Sequence, residues 1–109
     1  MATAILDIDI NEGDTFVMSL EFWSDADNTI PIDVTTDTFY GSFVFGTRSI
    51  PMTITKLTPA INVIEATVAY SQMGDLPKQG KYDIDQLTAQ GERYRVIQGV
   101  VRTNAGVTV

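Results

Sequence analysis

The chain has 109 residues, of which 44% are hydrophobic and 19% charged, a composition typical of one globular domain and not of a disordered chain. It contains no cysteine and no histidine, which excludes thiol nucleophiles, imidazole bases, disulfides and zinc sites of the Cys/His kind. No apolar run approaches the roughly 20 residues of a membrane-spanning helix, and the first residues lack the pattern of a signal peptide.

The formal net charge is −7, and the charges are divided unevenly along the chain. Residues 1–45 contain nine acidic residues and no basic residue, whereas all seven basic residues lie from Arg48 onward. Nucleic acid is therefore not expected as a partner, because phosphate binding needs a clustered positive field. Two interpretations remain for the charges: solvated outer faces, or an acidic edge that meets a basic patch on a neighbouring copy.

Alternation of apolar and polar residues with period two recurs along the chain and predicts β-strands. Pro31 marks a short edge segment, since proline cannot donate to a strand ladder. In the first half, the predicted elements are a strand at 4–10, a turn at 11–14, a strand at 16–23, a turn at 24–28, an edge segment at 29–34 and an aromatic central strand at 39–45.

The second half continues in the same pattern, interrupted once by a polar stretch with Gly and Pro at residues 71–80. Ser71 is predicted to cap a single helical turn that ends at Leu76. Tyr94, Val96 and Val100 are predicted to face one way on the last strand. The predicted elements are a loop at 46–51, strands at 52–57 and 63–70, a strand at 81–87, a hairpin turn at 88–92, a last strand at 93–102 and a tail at 103–109.

These elements predict an all-β fold, an antiparallel β-sandwich of about eight short strands, immunoglobulin-like or jelly-roll-like, with at most one short helical turn near 71–76. The whole chain, residues 1–109, is predicted to form this single domain. The N-terminal arm 1–10 and the C-terminal tail 103–109 either pair with neighbouring molecules or close the domain's own sheets.

The acidic turn with Asp25, Asp27 and Asn28 is the first candidate site. A calcium loop of the EF-hand type that starts at Asp25 would need Gly where Ile30 stands and Glu where Thr36 stands. These residue types also favour a tight hairpin turn, because their side chains bond to their own backbone. A hairpin turn is the main interpretation, with Asp25 and Asp27 kept as a weak calcium candidate, and sugar binding beside Trp23 as a further alternative.

Two pairs of carboxylates, Asp7 with Asp9 and Asp83 with Asp85, have the spacing that puts both acids on one side of a strand. Glycosidases use such pairs across a cleft. Each pair here alternates with an aliphatic residue that needs the core, so the acids are expected to face water, with Asp85 in a cross-strand ion pair with Arg93 or Arg95. No catalytic residue and no cofactor is predicted, and the chain is expected not to be an enzyme.

Outward-facing aromatic and basic side chains are the candidates for a protein interface, because aromatic residues and arginine are enriched at interfaces. For Trp23 and Tyr40, cover by a second sheet or a loop is an equal alternative. The interface candidates are Trp23, Tyr40, Arg93, Arg95 and Arg102.

One ordered set of segments resembles a known group of proteins. The segments are GDTF at 13–16, PIDVT at 31–35, LPKQGKYDID at 76–85, IQGVVR at 97–102 and a final VTV. This set is similar to small β-sandwich proteins and domains of tailed-bacteriophage virions, including the N-terminal domain of baseplate upper (adaptor) proteins and stand-alone accessory or cement proteins.

The resemblance implies a non-enzymatic virion protein that is assembled in the host cytoplasm and binds other virion proteins and copies of itself around a symmetry axis. Its place would be the tail or baseplate, the collar or fibre attachment, or the capsid surface as a decoration protein. The chain carries no helical extension of the kind found in longer adaptors, which favours an accessory role. The alternative function is a carbohydrate-binding module that contacts a host cell-surface glycan through Trp23.

Overall fold

The computed structural model describes residues 3–104, and these form nine β-strands and one turn of 3₁₀ helix at Tyr70–Gln72. No described helix is long and apolar enough to cross a membrane. The strands are β1 (Ala4–Ile5), β2 (Ile8–Asn11), β3 (Phe16–Glu21), β4 (Thr38–Phe45), β5 (Arg48–Pro51), β6 (Thr53–Lys56), β7 (Val63–Val68), β8 (Gln79–Leu87) and β9 (Arg93–Asn104).

The strands form two sheets that pack face to face. The larger sheet has the order β1-β9-β8-β4-β5, with β2 also paired to β9, and the smaller sheet has the order β3-β7-β6. The order β9-β8-β4 facing β3-β7-β6 is that of an immunoglobulin-like sandwich, here with the first strands beside the last strand and not beside β3. The predicted all-β sandwich is confirmed, and the topology is that of its immunoglobulin-like alternative.

The first two strands run parallel to β9, with Ala4 opposite Ile97 and Ile8 opposite Val101. Every other strand pair in the two sheets is antiparallel. A short loop can join only antiparallel neighbours, whereas β1 and β9 are separated by nearly the whole chain and are free to pair in parallel. The arm predicted at 1–10 thus closes the domain's own larger sheet over residues 4–11.

The core lies between the sheets and is built from the alternate residues that the sequence pattern predicts. On β7, Ile64, Ala66 and Val68 are at most 2% exposed, and Phe43 on β4 is fully buried. The ring of Phe16 packs edge-on against the ring of Phe43, with 4.9 Å between centroids. Burial of such rows supplies most of the stability of a small chain without disulfides, at about 25 cal/mol per Å² of apolar surface.

The structure corrects several predicted elements. Residues 46–51, predicted as a loop, contain β5, which pairs with β4 through a tight turn. Conversely, residues 32–34 form no strand; the Asp33 carboxylate accepts hydrogen bonds from the backbone N–H and hydroxyl of Thr35, which holds this segment in a turn. Local side-chain bonds of this kind compete with strand pairing.

Two corrections concern the direction of side chains. A register shift opposite Ile84 and Asp85 inserts an extra residue into β9, so Val96 packs on the core while Val100 lies on the outer side. Such a bulge reverses the inward and outward alternation beyond it.

The predicted helical turn at 71–76 is instead the 3₁₀ turn at Tyr70–Gln72, and it has no side-chain cap. Tyr70 is therefore exposed, not part of the β7 face.

Candidate functional site

Strand pairing brings together three of the five predicted interface residues on the outer side of the larger sheet. Tyr40 of β4 lies opposite Asp85 of β8, and Asp85 lies opposite Arg95 of β9. Arg93 is two residues away on the same side of β9. We call Tyr40, Asp83, Asp85, Arg93 and Arg95 the charged face.

Asp85 is the centre of the charged face. One carboxylate oxygen accepts hydrogen bonds from Nε and Nη2 of Arg93, at 3.3 and 3.2 Å. The other oxygen accepts from Nε of Arg95 at 3.2 Å, and Nη2 of Arg95 lies 3.6 Å from Asp83. The Asp85 side chain is 14% exposed, whereas the arginine side chains are 58% and 48% exposed. The two guanidinium groups thus cover the carboxylate and face solvent. The predicted cross-strand ion pair of Asp85 is present with both arginines.

Tyr40 extends this arrangement onto β4. The guanidinium carbon of Arg93 lies 5.3 Å from the centre of the Tyr40 ring, a distance at which the ring face attracts a cation. Tyr40 remains 47% exposed, in agreement with its predicted outward direction. Arg93 thus contacts the Asp85 carboxylate and the Tyr40 ring, and the exposed part of that ring lies beside it. Holding these side chains before a partner arrives reduces the entropy lost on binding.

The bulge in β9 creates this geometry. Ile97 faces Ile84 in the core, and the next matched pair is Arg95 opposite Asp85, so Val96 has no partner on β8. In a regular strand Val96 would face outward opposite Asp85, and Arg95 would face inward. The bulge therefore lets the consecutive residues Val96 and Ile97 both pack against the core and places Arg95 on the outer side, opposite Asp85.

A shallow groove continues the charged face towards β1, with a volume of about 380 Å³. Ile5, which is 76% exposed, lines it together with Lys81 and Gln98. Gln98 also accepts a hydrogen bond from Arg95 at 3.3 Å. Sequence reasoning missed Ile5, Lys81 and Gln98, because only the parallel pairing of β1 with β9 brings Ile5 beside them.

Arg102 lies on β9 towards its far end, where it is paired in register with Asp9 of β2 and Gln79 of β8. Within the described part of the chain it forms no ion pair. It is exposed and belongs to the same outer side as the charged face, but seven residues beyond Arg95 along β9.

Trp23 is not brought to the charged face. It follows β3 of the smaller sheet, where its backbone forms an isolated bridge with Pro31. Its indole N–H donates to the carboxylate of Glu21 at 3.1 Å, and the side chain is half-buried. Trp23 thus closes the base of the acidic turn.

The acidic turn satisfies its own hydrogen bonds. The Asp25 carboxylate accepts from the backbone N–H groups of Thr29 and Ile30, at 3.0 and 2.9 Å, and from the Thr29 hydroxyl. The Thr29 hydroxyl bond, followed by the Ile30 bond, lowers the pKa of Asp25 from 3.8. Asn28 has the left-handed φ of 56° that such turns need. Among residues 3–104, Asp25 and Asp27 do not join a third acidic side chain in a group able to hold a metal ion.

The two carboxylate pairs are also engaged within the fold. Asp83 and Asp85 share Arg95, while Asp7 accepts a hydrogen bond from the backbone N–H of Val100 at 2.9 Å. Asp9 faces Arg102 in register. Asp7, Asp83 and Asp85 thus use their carboxylates to join strands, whereas Asp9 is only a register neighbour of Arg102.

No family model matches the sequence, and no curated protein matches it. Among solved structures, the chain is similar to an internalin-like protein of Listeria monocytogenes, with 14% sequence identity and a TM-score of 0.44. The similarity covers 94% of this chain and 28% of that chain, so this chain spans less than a third of the other's length.

Proposed function

We propose that this chain is a non-enzymatic structural protein of a tailed-phage virion, which binds other virion proteins and copies of itself. The observation that carries the proposal is the charged face, where three predicted interface residues converge on one exposed sheet surface. The family resemblance of the sequence supplies the virion context. A place on the tail, baseplate, collar or capsid surface fits this role equally well.

The distribution of charge supports contact between unlike surfaces of neighbouring copies. Arg93, Arg95, Arg102 and Lys81 are four of the seven basic residues, and all lie on β8 or β9. Of the nine acidic residues of 1–45, Asp7 and Asp9 lie beside β9, and the other seven lie on β3 or in turns and loops. The charged face pairs its two arginines with two aspartates, so it offers exposed guanidinium groups and not a net positive charge. A contact of these groups with a different, acidic surface on the next copy is head-to-tail, and such contacts form a ring where the rotation between copies closes.

The first test is the association of the purified chain, measured by light scattering across concentration and salt. Replacing Arg93→Gln together with Tyr40→Ser should weaken association about tenfold, which is the effect of one central interface residue. Lys78→Gln removes one positive charge outside the charged face and should have little effect. Equal weakening by both changes would attribute the effect to net charge and would argue against a specific face.

A second test uses the assembled particle. Virions that carry the Arg93→Gln and Tyr40→Ser chain should contain fewer copies of it, as measured by quantitative mass spectrometry of purified particles. Normal incorporation of this variant would remove the charged face from the proposal. Absence of the unchanged chain from purified particles would overturn the virion role itself.

Carbohydrate binding at the acidic turn is the second candidate. It is supported by the half-buried indole of Trp23 next to a turn with exposed Asp27 and Asn28. A glycan array with the unchanged chain and with Trp23→Ala separates the two roles. A glycan signal that Trp23→Ala abolishes would favour this candidate, whereas a blank array would leave assembly as the function.

A further inference from the structure

One sheet edge is left open in this domain. The smaller sheet has the order β3-β7-β6, and within residues 3–104 no strand pairs with the side of β3 that faces away from β7. In immunoglobulin-like sandwiches a first strand commonly covers this position. Here the first strands are bound to β9 in the other sheet, where Tyr82 and Asp7 hold them.

The inward side chains of β3 are less buried than those of its neighbour β7. Phe16, Met18 and Leu20 point inward but remain only partly buried. Their opposite residues on β7, Val68, Ala66 and Ile64, are at most 2% exposed. The apolar row of β3 is therefore incompletely covered, and a strand with apolar residues on its inner side would complete it.

A groove of about 230 Å³ runs between β2 and β3 at this open side of the sandwich. It lies beside the start of β3, where an added strand would meet Phe16 and Val17. The residues that line it include Asp9, Asn11, Asp14, Thr15, Val17 and Met73.

The other edges carry more features that discourage strand addition than β3 does, whose one charged residue is Glu21 at its end. The β5 edge has only four residues and includes Arg48 and Pro51, and the equally short β6 edge ends at Lys56. The β1 and β2 edge is interrupted at residues 6–7. By contrast, β3 has six paired residues, contains neither proline nor a basic residue, and exposes 55% of Val17. Natural proteins block edges with proline, lysine, short strands or breaks, so an unblocked edge indicates an acceptor.

The segment that best fits this edge is residues 105–109, with the sequence AGVTV. The chain leaves β9 at Asn104, whose carbonyl accepts the backbone N–H of Glu12 at 2.9 Å, directly beside the turn that leads into β3. The segment has uncharged side chains and three β-branched residues, which suit strand pairing. A β3 edge from another copy fits less well, because the groove is lined by acidic Asp9 and Asp14 on each copy.

The direction of the chain favours the β3 edge of a second copy over its own. β9 and β3 belong to different sheets, about 10 Å apart, and crossing that gap consumes about three residues at 3.3 Å each. The chain would also have to reverse, since β3 starts at the same end at which β9 finishes. Pairing with a neighbouring copy requires no such reversal.

We propose that residues 105–109 of one copy add as a strand to the free edge of β3 in a second copy. Val107 and Val109 then face the row of Phe16, Met18 and Leu20, and Thr108 faces outward beside Ser19. This inference rests on the proposed assembly role and names the partner as a second copy, but it uses a surface separate from the charged face.

The chain contains no cysteine, so single introduced cysteines report contacts without background. A Thr108→Cys chain is mixed with a Ser19→Cys chain under mild oxidation, and mixed disulfide dimers are measured by mass spectrometry. The matched control is Thr55→Cys, which is also exposed and outward on the smaller sheet but lies on β6. We expect about tenfold more mixed dimer with Ser19→Cys than with Thr55→Cys, because a disulfide needs Cα atoms within about 7 Å.

Equal yields with the two partners would overturn the proposal. A chain that carries both Ser19→Cys and Thr108→Cys can also form an intramolecular disulfide. If only this disulfide forms, and the first experiment gives no mixed dimer, residues 105–109 pair with β3 of their own copy. Abundant Ser19→Cys homodimers with no mixed dimer would assign the edge to a β3 strand of the second copy. Either result contradicts the proposed exchange.

A second measurement uses light scattering on Val17→Lys/Ser19→Lys and its matched control Thr53→Lys/Thr55→Lys. Each pair adds two positive charges to an outer strand face, and only the first should lower association, by about tenfold. A chain that is monomeric at every concentration up to its solubility limit would overturn strand exchange in solution. Adding Arg93→Gln and Tyr40→Ser should leave the disulfide between positions 19 and 108 intact. Failure of the charged face and failure of strand exchange are therefore distinguishable.

Discussion

The hydroxyl of Tyr82 donates a hydrogen bond to the backbone carbonyl of Leu6 at 2.5 Å, across 76 residues of sequence. Tyr82 lies in the core on β8, and Leu6 lies between β1 and β2, above Gly99 of β9. An added Cβ at Gly99 would be 2.0 Å from the Leu6 oxygen, so only glycine leaves room for this contact. The bond anchors the N-terminal arm to the larger sheet.

Tyr82→Phe should destabilise the domain by about 1 kcal/mol, because it removes this bond and leaves the Leu6 carbonyl without its donor. Urea unfolding measures the change, and hydrogen exchange should become faster at Leu6, whose N–H bonds to Gln98. Tyr70→Phe is the matched control, since Tyr70 is 67% exposed, and it should stay within about 0.5 kcal/mol of the unchanged chain. Equal stability of both variants would remove the anchoring role.

Gly99→Ala should cost about 2 kcal/mol or more, because the new methyl group must displace backbone atoms of the arm. Gly74→Ala is the control, as a Cβ there meets no atom within 4 Å. Thermal unfolding measures both variants, and proteolysis should detect a released arm only in Gly99→Ala. A Gly99→Ala chain as stable as Gly74→Ala would mean that the arm adapts without loss.

The ion pair of Asp85 with Arg95 should show a coupling energy of about 0.5–1 kcal/mol in a double-mutant cycle with Asp85→Asn and Arg95→Gln. The pair is partly covered by Arg93, which places it above a fully exposed pair. The coupling should decrease as salt is raised. A cycle on Asp9 and Arg102, which are register neighbours without an ion pair, provides the baseline. Equal coupling in the two cycles would contradict the geometry of the charged face.

Acid should destabilise the acidic turn and the segment after it. The Thr29 hydroxyl lowers the pKa of Asp25, and the Thr35 hydroxyl lowers the pKa of Asp33, both from 3.8. A carboxyl group whose folded pKa is depressed stabilises the fold above its unfolded pKa, and this contribution is lost as pH falls through the folded pKa. The melting temperature should therefore decrease from about pH 4 downward.

The Asp25→Asn and Asp33→Asn double variant should show a flatter decrease in that range, with scanning calorimetry as the measurement. Asp75→Asn is the control on an exposed loop residue outside these two turns. If the double variant and the control had the same acid profile as the unchanged chain, the hydrogen bonds of the turns would not contribute to acid stability.

Much of the fold could be predicted from local pattern. Phe39, Phe43 and Phe45 share the buried face of β4, and Ile64, Ala66 and Val68 share that of β7, because side chains alternate along any strand. The contact of Asp85 with the two arginines was predictable for a similar reason. The hairpin at 88–92 joins their strands directly, which places them opposite each other.

Contacts between distant segments were not predictable in this way. The alternation of residues 4–10 indicated one strand, but not its break at residues 6–7 or its parallel partner, since both depend on Gly99 and Tyr82 far along the chain. The bulge that turns Val96 inward depends on register with β8, which period two alone does not specify. The loop prediction at 46–51 failed because β5 is stabilised by pairing with β4.

The sequence by itself determined the class of the fold, the inward rows of the core and the absence of thiol and imidazole chemistry, because these follow from residue type and local periodicity. Only the tertiary structure decided which sheet edge remains open and where the groove beside the charged face lies. Both depend on where the first strands pair, and that pairing is set by hydrogen bonds and close packing between residues more than 90 positions apart.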